Sequence, residues 1–224
     1  MNPVAGFLFS VIICAGIYIN KYVLSVLGFR YPTIFQGWQT LTGLIIYKLL
    51  TFLSKSGFQL TGMDRAAAIS LLPGFLFHTT SIIAGSKALA GLPIPVCVSV
   101  WNTLPASLYL LDRLLPGGRP GAGPLQLAAA AITTATGALL VLTQAGLEFS
   151  DSAYFWLVVG VVCSLAHCLH CRIADARYGS WDRLYYNSIF SVIVLAPASF
   201  YLEEAFEALN FHHDRQELFL AGDW

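Results

Sequence analysis

The 224 residues include 12 basic and 12 acidic side chains, so the formal net charge is zero, while 57% are apolar and only 11% charged. With a mean hydropathy of +0.69, the chain reads as a polytopic membrane protein rather than one or two soluble domains. No basic run could track a phosphate backbone, which argues against nucleic acid as a partner. The five cysteines, Cys14, Cys97, Cys163, Cys168 and Cys171, are odd in number and sit in apolar segments. They read as small buried hydrophobes and not as a disulfide framework. The first apolar run has no basic n-region and no small-residue cleavage site, so it is read as a retained span.

Seven apolar stretches are long enough to cross about 30 Å of hydrocarbon at about 1.5 Å per residue. The first, Val4 to Leu27, places Ser10, Cys14, Lys21 and Ser25 within about 40° of one another on a helical wheel, a polar stripe expected to face the bundle. The second, Tyr31 to Leu53, carries Gln36 and Gln39 one turn apart, suited either to joining helices or to solute contact. The third, Ala66 to Ala90, contains Pro73 and His78. The fourth runs from Pro93 to Leu115 and is followed by the Gly/Pro-rich loop Pro116 to Pro124. The fifth, Leu125 to Leu142, is rich in small residues that favour close helix packing. The sixth, Ala153 to Cys171, ends in HCLHC, and the seventh follows Trp181-Asp182-Arg183 and ends at Leu202.

Two of these regions hold expensive polar groups. From Ser86 to Pro105 the chain reads SKALAGLPIPVCVSVWNTLP. A lysine at mid-membrane costs roughly 2.5–3.5 kcal/mol on insertion scales, and an unpaired one points to a polar pathway. Pro93 and Pro95 close one helix and open the next, with Lys87 on the first and Asn102 on the second. In the seventh span, Asn187, Ser188 and Ser191 fall within about 100° of helical arc, a polar wedge suited to solute contact or to interhelical hydrogen bonds. The cluster His167, Cys168, His170 and Cys171 has metal-like spacing, but all four residues come from one helix. A tetrahedral site needs ligands converging from at least two elements, so no metal is expected. If the amino terminus is cytosolic, Lys55, Arg65, Arg113, Arg119, Arg172, Arg177 and Arg183 all fall on the cytosolic side, as the positive-inside rule requires.

The hairpin phrase SKALAGLPIPVCVSVWN, the first-helix run Asn20-Lys21-Tyr22-Val23 and the stretch Tyr185-Tyr186-Asn187-Ser188 resemble three ordered motifs of the Golgi nucleotide-sugar transporters. These belong to the drug/metabolite transporter superfamily, and the match is on its GDP-mannose-carrier side. The resemblance implies an all-α fold of two five-helix inverted repeats with the site between them. On that scheme residues 1–147 form the first repeat, 148–202 the first two helices of the second, and 203–224 a polar tail. It also implies a multi-pass Golgi membrane carrier, not an enzyme, that moves a nucleotide sugar into the lumen against nucleoside monophosphate, without a cofactor. The lipid bilayer is its medium, and a second copy of the chain is a candidate partner.

By carry-over, Tyr185, Tyr186, Asn187 and Ser188 would form the nucleobase stretch, with Tyr186 and Asn187 in contact. Lys87, Asn102, Asn20 and Lys21 would be pathway or helix-closing residues. Three departures mark this chain. Ser188 stands where the motif has a second Asn, and a hydroxyl lacks an amide's paired donor and acceptor, which favours a uridine nucleotide such as UDP-N-acetylglucosamine over GDP-mannose. Trp101 stands where GDP-mannose carriers have a lysine. The family's later diphosphate-binding lysine motif has no counterpart in these 224 residues. The alternative is a short membrane protein that does not transport and acts through helix–helix contacts.

Overall fold

A computed structural model describes residues 3–29, 31–53, 60–114, 124–144, 151–173, 178–201 and 203–209. The chain folds into helices throughout these segments. They are α1 (Pro3–Lys21), continued by a π-helical turn (Tyr22–Val26), α2 (Pro32–Leu53), α3 (Arg65–Gly91), α4 (Ile94–Trp101), α5 (Leu104–Leu114), α6 (Pro124–Gln144), α7 (Asp151–Ile173), α8 (Ser180–Tyr201) and α9 (Glu204–Leu209). Five stretches, Gly6–Val26, Arg65–Gly91, Ile94–Leu111, Ser152–Ile173 and Ser180–Tyr201, are long and apolar enough to cross a membrane. The molecule is an all-α polytopic membrane protein. Each of the seven expected spans is helical, but α2 and α6 fall short of that combination of length and hydropathy. Lys55, the loop from Pro116 to Gly123 and the tail beyond Leu209 lie outside the described residues.

Local chemistry sets the helix ends. Asp64 caps α3, its Oδ1 accepting from the Ala67 N–H at 2.7 Å, which satisfies one of the donors a helix start leaves open. The helix stops at Leu92, extended at φ −115°, ψ 153°, because the ring of Pro93 excludes the helical region for the residue before it. The fourth span is not continuous as expected. It breaks at Asn102-Thr103 into α4 and α5. Pro105 has no N–H for the Trp101 carbonyl, and the chain closes the gap with Thr103 N–H to Val100 O and Ser107 N–H to Thr103 O.

The helices run alternately up and down. We call the end where α3 and α8 begin the lower end, and the opposite end the upper. The axis of the bundle is the antiparallel pair α3 and α7, in contact from Gly91 against Ala153 through Gly85 against Gly160 to Gly74 against His170. Two glycines permit this approach. A Cβ on Gly91 would stand 2.7 Å from that of Ala153, and one on Gly74 would stand 2.5 Å from His170 Nδ1. Small residues at such seams let helix backbones gain dispersion contacts that lipid cannot match. The buried cluster Ala88, Leu89, Leu92, Val96, Cys97, Ala153 and Leu157 fills the upper half, and Ala67, Leu71, Phe75 and Tyr178 fill the lower.

Around this axis α2 packs antiparallel on α8, with Gly37 against Leu195 and Tyr47 against Tyr185. The outer surfaces expose Phe7, Ile12, Phe52, Ile132 and Ile193 at 60% or more, apolar faces that suit lipid. The expected polar stripe of α1 turns inward only at its upper end. Ser10 and Cys14 are exposed, the former bonded back to Gly6 O at 3.0 Å, whereas Lys21 and Ser25 reach the α3–α4 corner. The π-helical turn Tyr22–Val26 contains Ser25 and changes its angular register relative to a regular helix.

Candidate functional site

Four polar levels succeed one another along the bundle. At the lower end, the Asp182 carboxylate accepts from the Thr61 N–H and hydroxyl at 3.1 and 2.9 Å, and the Tyr186 hydroxyl donates to Thr61 O at 2.6 Å. This ties the start of α8 to the segment before α3. The ring of Tyr185 lies 5.4 Å from that of Tyr47, with the Lys48 ammonium 5.0 Å from its centroid. One level higher, Thr79 and Ser191 share a hydrogen bond of 2.9 Å.

Between these two levels lies Asn187, 6% exposed. Eight polar side chains are buried among the described residues. Seven of them have a hydrogen-bond partner. No hydrogen bond to the Asn187 amide forms among the described residues. Leaving such a group buried and unsatisfied costs about 1–3 kcal/mol, so a protein retains one where something else binds it. The neighbouring Ser188 is different, because its hydroxyl already donates to Leu184 O at 2.8 Å within its own helix.

At the middle level the two glutamines of α2 join helices. Gln36 donates to Ser86 Oγ on α3 at 2.5 Å, and Gln39 donates to Asn20 Oδ1 on α1 at 2.6 Å. Beside them a cavity of about 290 Å3 is lined by Asn20, Gln36, Ser81, Ser86, Trp101 and Ser164 among others. Trp101 also rests against Gly85, so the residue that replaces a lysine in the resembling motif closes one wall.

The upper end holds two lysines. The Lys21 ammonium donates to the carbonyls of Leu89, Ala90 and Leu92 at 2.8, 3.1 and 2.9 Å, and the Ser25 hydroxyl donates to Ala90 O at 2.9 Å. All three donors of the ammonium are used to close the carboxyl end of α3, where the macrodipole favours a cation. Lys87 lies half-buried with its Nζ 4.4 Å from the ring centroid of Trp156. It has no hydrogen bond or carboxylate partner among the described residues. A desolvated cation–π contact is worth up to about 2 kcal/mol. Lys87 faces a cavity of about 770 Å3 whose rim includes Glu204. That carboxylate is engaged elsewhere, accepting from the Thr33 N–H and hydroxyl at 3.0 and 3.1 Å at the start of α2.

The residues read from the sequence therefore divide. Tyr185, Tyr186, Asn187 and Ser188 gather at the lower end. Asn20 borders the middle cavity, with Lys21 just above it, and Lys87 opens on the upper one. Asn102 is exposed at the α4–α5 break and lines neither cavity. In the HCLHC run, His167 Nδ1–H donates to Gly74 O at 2.9 Å and His170 Nε2–H to Ser70 O at 3.1 Å. These histidines link α7 to the stretch of α3 around Pro73. Sequence reading missed the parts played by Trp156 and Glu204. The aromatic run at 154–156 reads as an interfacial anchor, and nothing local ties Trp156 to a lysine 69 positions away.

No family model matches the chain. It is 33% identical over 220 residues to the UDP-N-acetylglucosamine transporter TMEM241 homolog of Xenopus laevis, an alignment that covers 94% of this chain and 69% of that protein. Against the UDP-N-acetylglucosamine transporter TMEM241 of Mus musculus the identity is 34% over 200 residues, covering 86% and 63%. GDP-mannose transporter 2 of Neosartorya fischeri is 28% identical over 228 residues, covering 90% and 62%. The chain spans about two thirds of the length of these curated relatives.

Proposed function

Because the chain belongs to the nucleotide-sugar transporter family, we propose that it is a multi-pass carrier of the Golgi membrane that exchanges a nucleotide sugar for nucleoside monophosphate. UDP-N-acetylglucosamine is the favoured substrate and GDP-mannose the second. The relatives are named as transporters, which places the chain among carriers and not enzymes. The observation that supports this reading most strongly is the buried Asn187 amide without a hydrogen-bond partner among the described residues, within the stretch that resembles the nucleobase motif.

One carboxamide presents an acceptor and a donor side by side. This matches the ring N–H and adjacent carbonyl of uracil. Guanine presents a further exocyclic donor, which a single carboxamide already paired with the ring N–H and carbonyl does not meet. The rings of Tyr185 and Tyr47 beside this level offer apolar faces to a base. In this reading the upper and lower ends of the bundle exchange accessibility during the cycle. The loop charges make the lower end cytosolic: Arg65, Arg172 and Arg183 all stand at the lower ends of α3, α7 and α8.

The test is uptake of labelled UDP-N-acetylglucosamine and GDP-mannose into liposomes that hold the full chain and are preloaded with UMP or GMP. Uptake of the uridine substrate driven by internal UMP is expected; absence of any exchange would overturn the proposal. A second reading, association through helices without transport, draws on an apolar groove of about 590 Å3 between α2, α8 and α9, lined by Gly37, Trp38, Leu195 and Leu209 among others. A monomer in mild detergent with no associated protein would overturn it.

A further inference from the structure

Lys21 and Lys87 stand at the same end of the bundle, but only Lys21 has its ammonium donors taken up by the protein. The cavity beside Lys87 draws its walls from α3, α7, α9, the π-helical turn and the start of α2, and its lining includes Ser25, Ser152, Trp156 and Glu204. Glu204 forms no ion pair with the lysine, and both its oxygens accept from the start of α2. Ser25 has its proton committed to Ala90 O, whereas the exposed Ser152 hydroxyl has no hydrogen-bond partner among the described residues. The cavity thus presents one ammonium and one hydroxyl that donate to no described residue, against an aromatic wall.

We infer that this upper cavity is a binding site for a phosphorylated anion, held by Lys87 and Ser152 and separate from the level of Asn187. A cation in a low-dielectric wall is stabilised by an anion far more than by a ring face, and a phosphate accepts from an ammonium and a hydroxyl together. The separation follows from the helices. Thr79 and Ser191 meet at one level. Lys87 lies eight residues above Thr79 and Asn187 four residues below Ser191, so the two stand about 18 Å apart along the bundle. That exceeds the distance from base to phosphate in a nucleoside monophosphate, so one such molecule cannot occupy both. The upper site instead captures the phosphate of a nucleotide arriving from, or leaving by, the upper side. The identity of the anion as a nucleotide phosphate rests on the carrier reading above; a phospholipid headgroup offers the same chemistry from a different source.

The experiment is a pyrophosphate titration of the full chain in phosphate-free maltoside micelles, following tryptophan fluorescence and phosphorus NMR line width. A saturable response is expected. Lys87→Gln should weaken pyrophosphate binding at least tenfold, Lys87→Arg should keep it within about threefold, and Trp156→Phe should remove the fluorescence signal while line broadening persists. Equal affinity in the parent and Lys87→Gln, or no binding to the parent, would overturn the site. Should Lys87→Gln fail to fold, acylation of Lys87 in the parent, read by mass spectrometry, takes its place: protection by pyrophosphate supports the site and no protection overturns it. Repeating the titration in nanodiscs with phosphatidic acid identifies the source. A tenfold loss of apparent affinity in the parent assigns the site to lipid headgroups, and an unchanged value assigns it to soluble phosphates. Pyrophosphate carries no base and needs no transport. Failed exchange with intact Lys87-dependent binding therefore overturns the carrier reading alone, and exchange with Lys87-independent binding overturns this site alone.

Discussion

Among the described residues, a polar group without a hydrogen-bond partner at the lower end of the bundle is a neutral amide, Asn187, 6% exposed; at the upper end it is a charge, Lys87, open to a cavity of about 770 Å3. A neutral amide can stay buried at a tolerable cost and reads the pattern of donors and acceptors on a flat ring. A charge gathers anions without regard to shape and must stay near water or a counter-ion to be tolerated. The two ends are therefore suited to different chemical groups, a base below and a phosphate above, held about 18 Å apart along the bundle. Lys21 shows that the upper end does not leave lysines free by default, because its ammonium closes α3 with three carbonyls.

This contrast can be broken first at Lys21. Lys21→Met removes three charge-assisted hydrogen bonds, each worth about 1.5–3 kcal/mol, and leaves the end of α3 open. It should cause the largest loss of thermal stability in detergent, well beyond that of Lys87→Gln; equal losses would erase the distinction between a structural and a free lysine. Next in size is Gly91→Ala. Its Cβ would meet that of Ala153 at 2.7 Å, and because both carbons are fixed to backbone the α3–α7 seam must open, at about 1–3 kcal/mol. Ser188→Asn, which supplies a second amide, should raise the GDP-mannose to UDP-N-acetylglucosamine uptake ratio several-fold, about 1 kcal/mol of discrimination; an unchanged ratio would place base selection elsewhere. Gln39→Leu should do least. Interhelical hydrogen bonds in bilayers average about 0.6 kcal/mol, so a shift of only a few degrees in the unfolding midpoint is expected.

Much of the architecture was legible because the membrane imposes simple rules. Apolar runs of about 20 residues marked the helices, and Pro93 marked the corner at Leu92. The break at Asn102-Thr103 was written in Pro105, but an apolar run on both sides of it reads as one span. The inward turn of Lys21 and Ser25 was legible as a stripe. That Ser10 and Cys14 of the same stripe are exposed was not, since residues 7–15 of α1 are uncovered on every face among the described residues, and a helical wheel does not tell which turns of a helix have neighbours. The wedge at Asn187 could be found from its spacing, but its lack of a partner depends on which side chains α2 and α3 bring to that level. The pairing of Lys87 with Trp156 and the use of Glu204 to hold α2 are likewise products of packing between distant segments.

The measurement that bears most directly on the account is made on one variant, Asn187→Leu, by two readouts. A buried amide that binds only solute is a burden to the empty protein, so its replacement by an apolar side chain of similar size should raise the unfolding midpoint, by the equivalent of about 1 kcal/mol or more, while UMP-driven uptake of UDP-N-acetylglucosamine falls at least tenfold. A variant that loses stability and keeps its exchange would contradict the account, because Asn187 would then be a structural residue and the base would be read elsewhere.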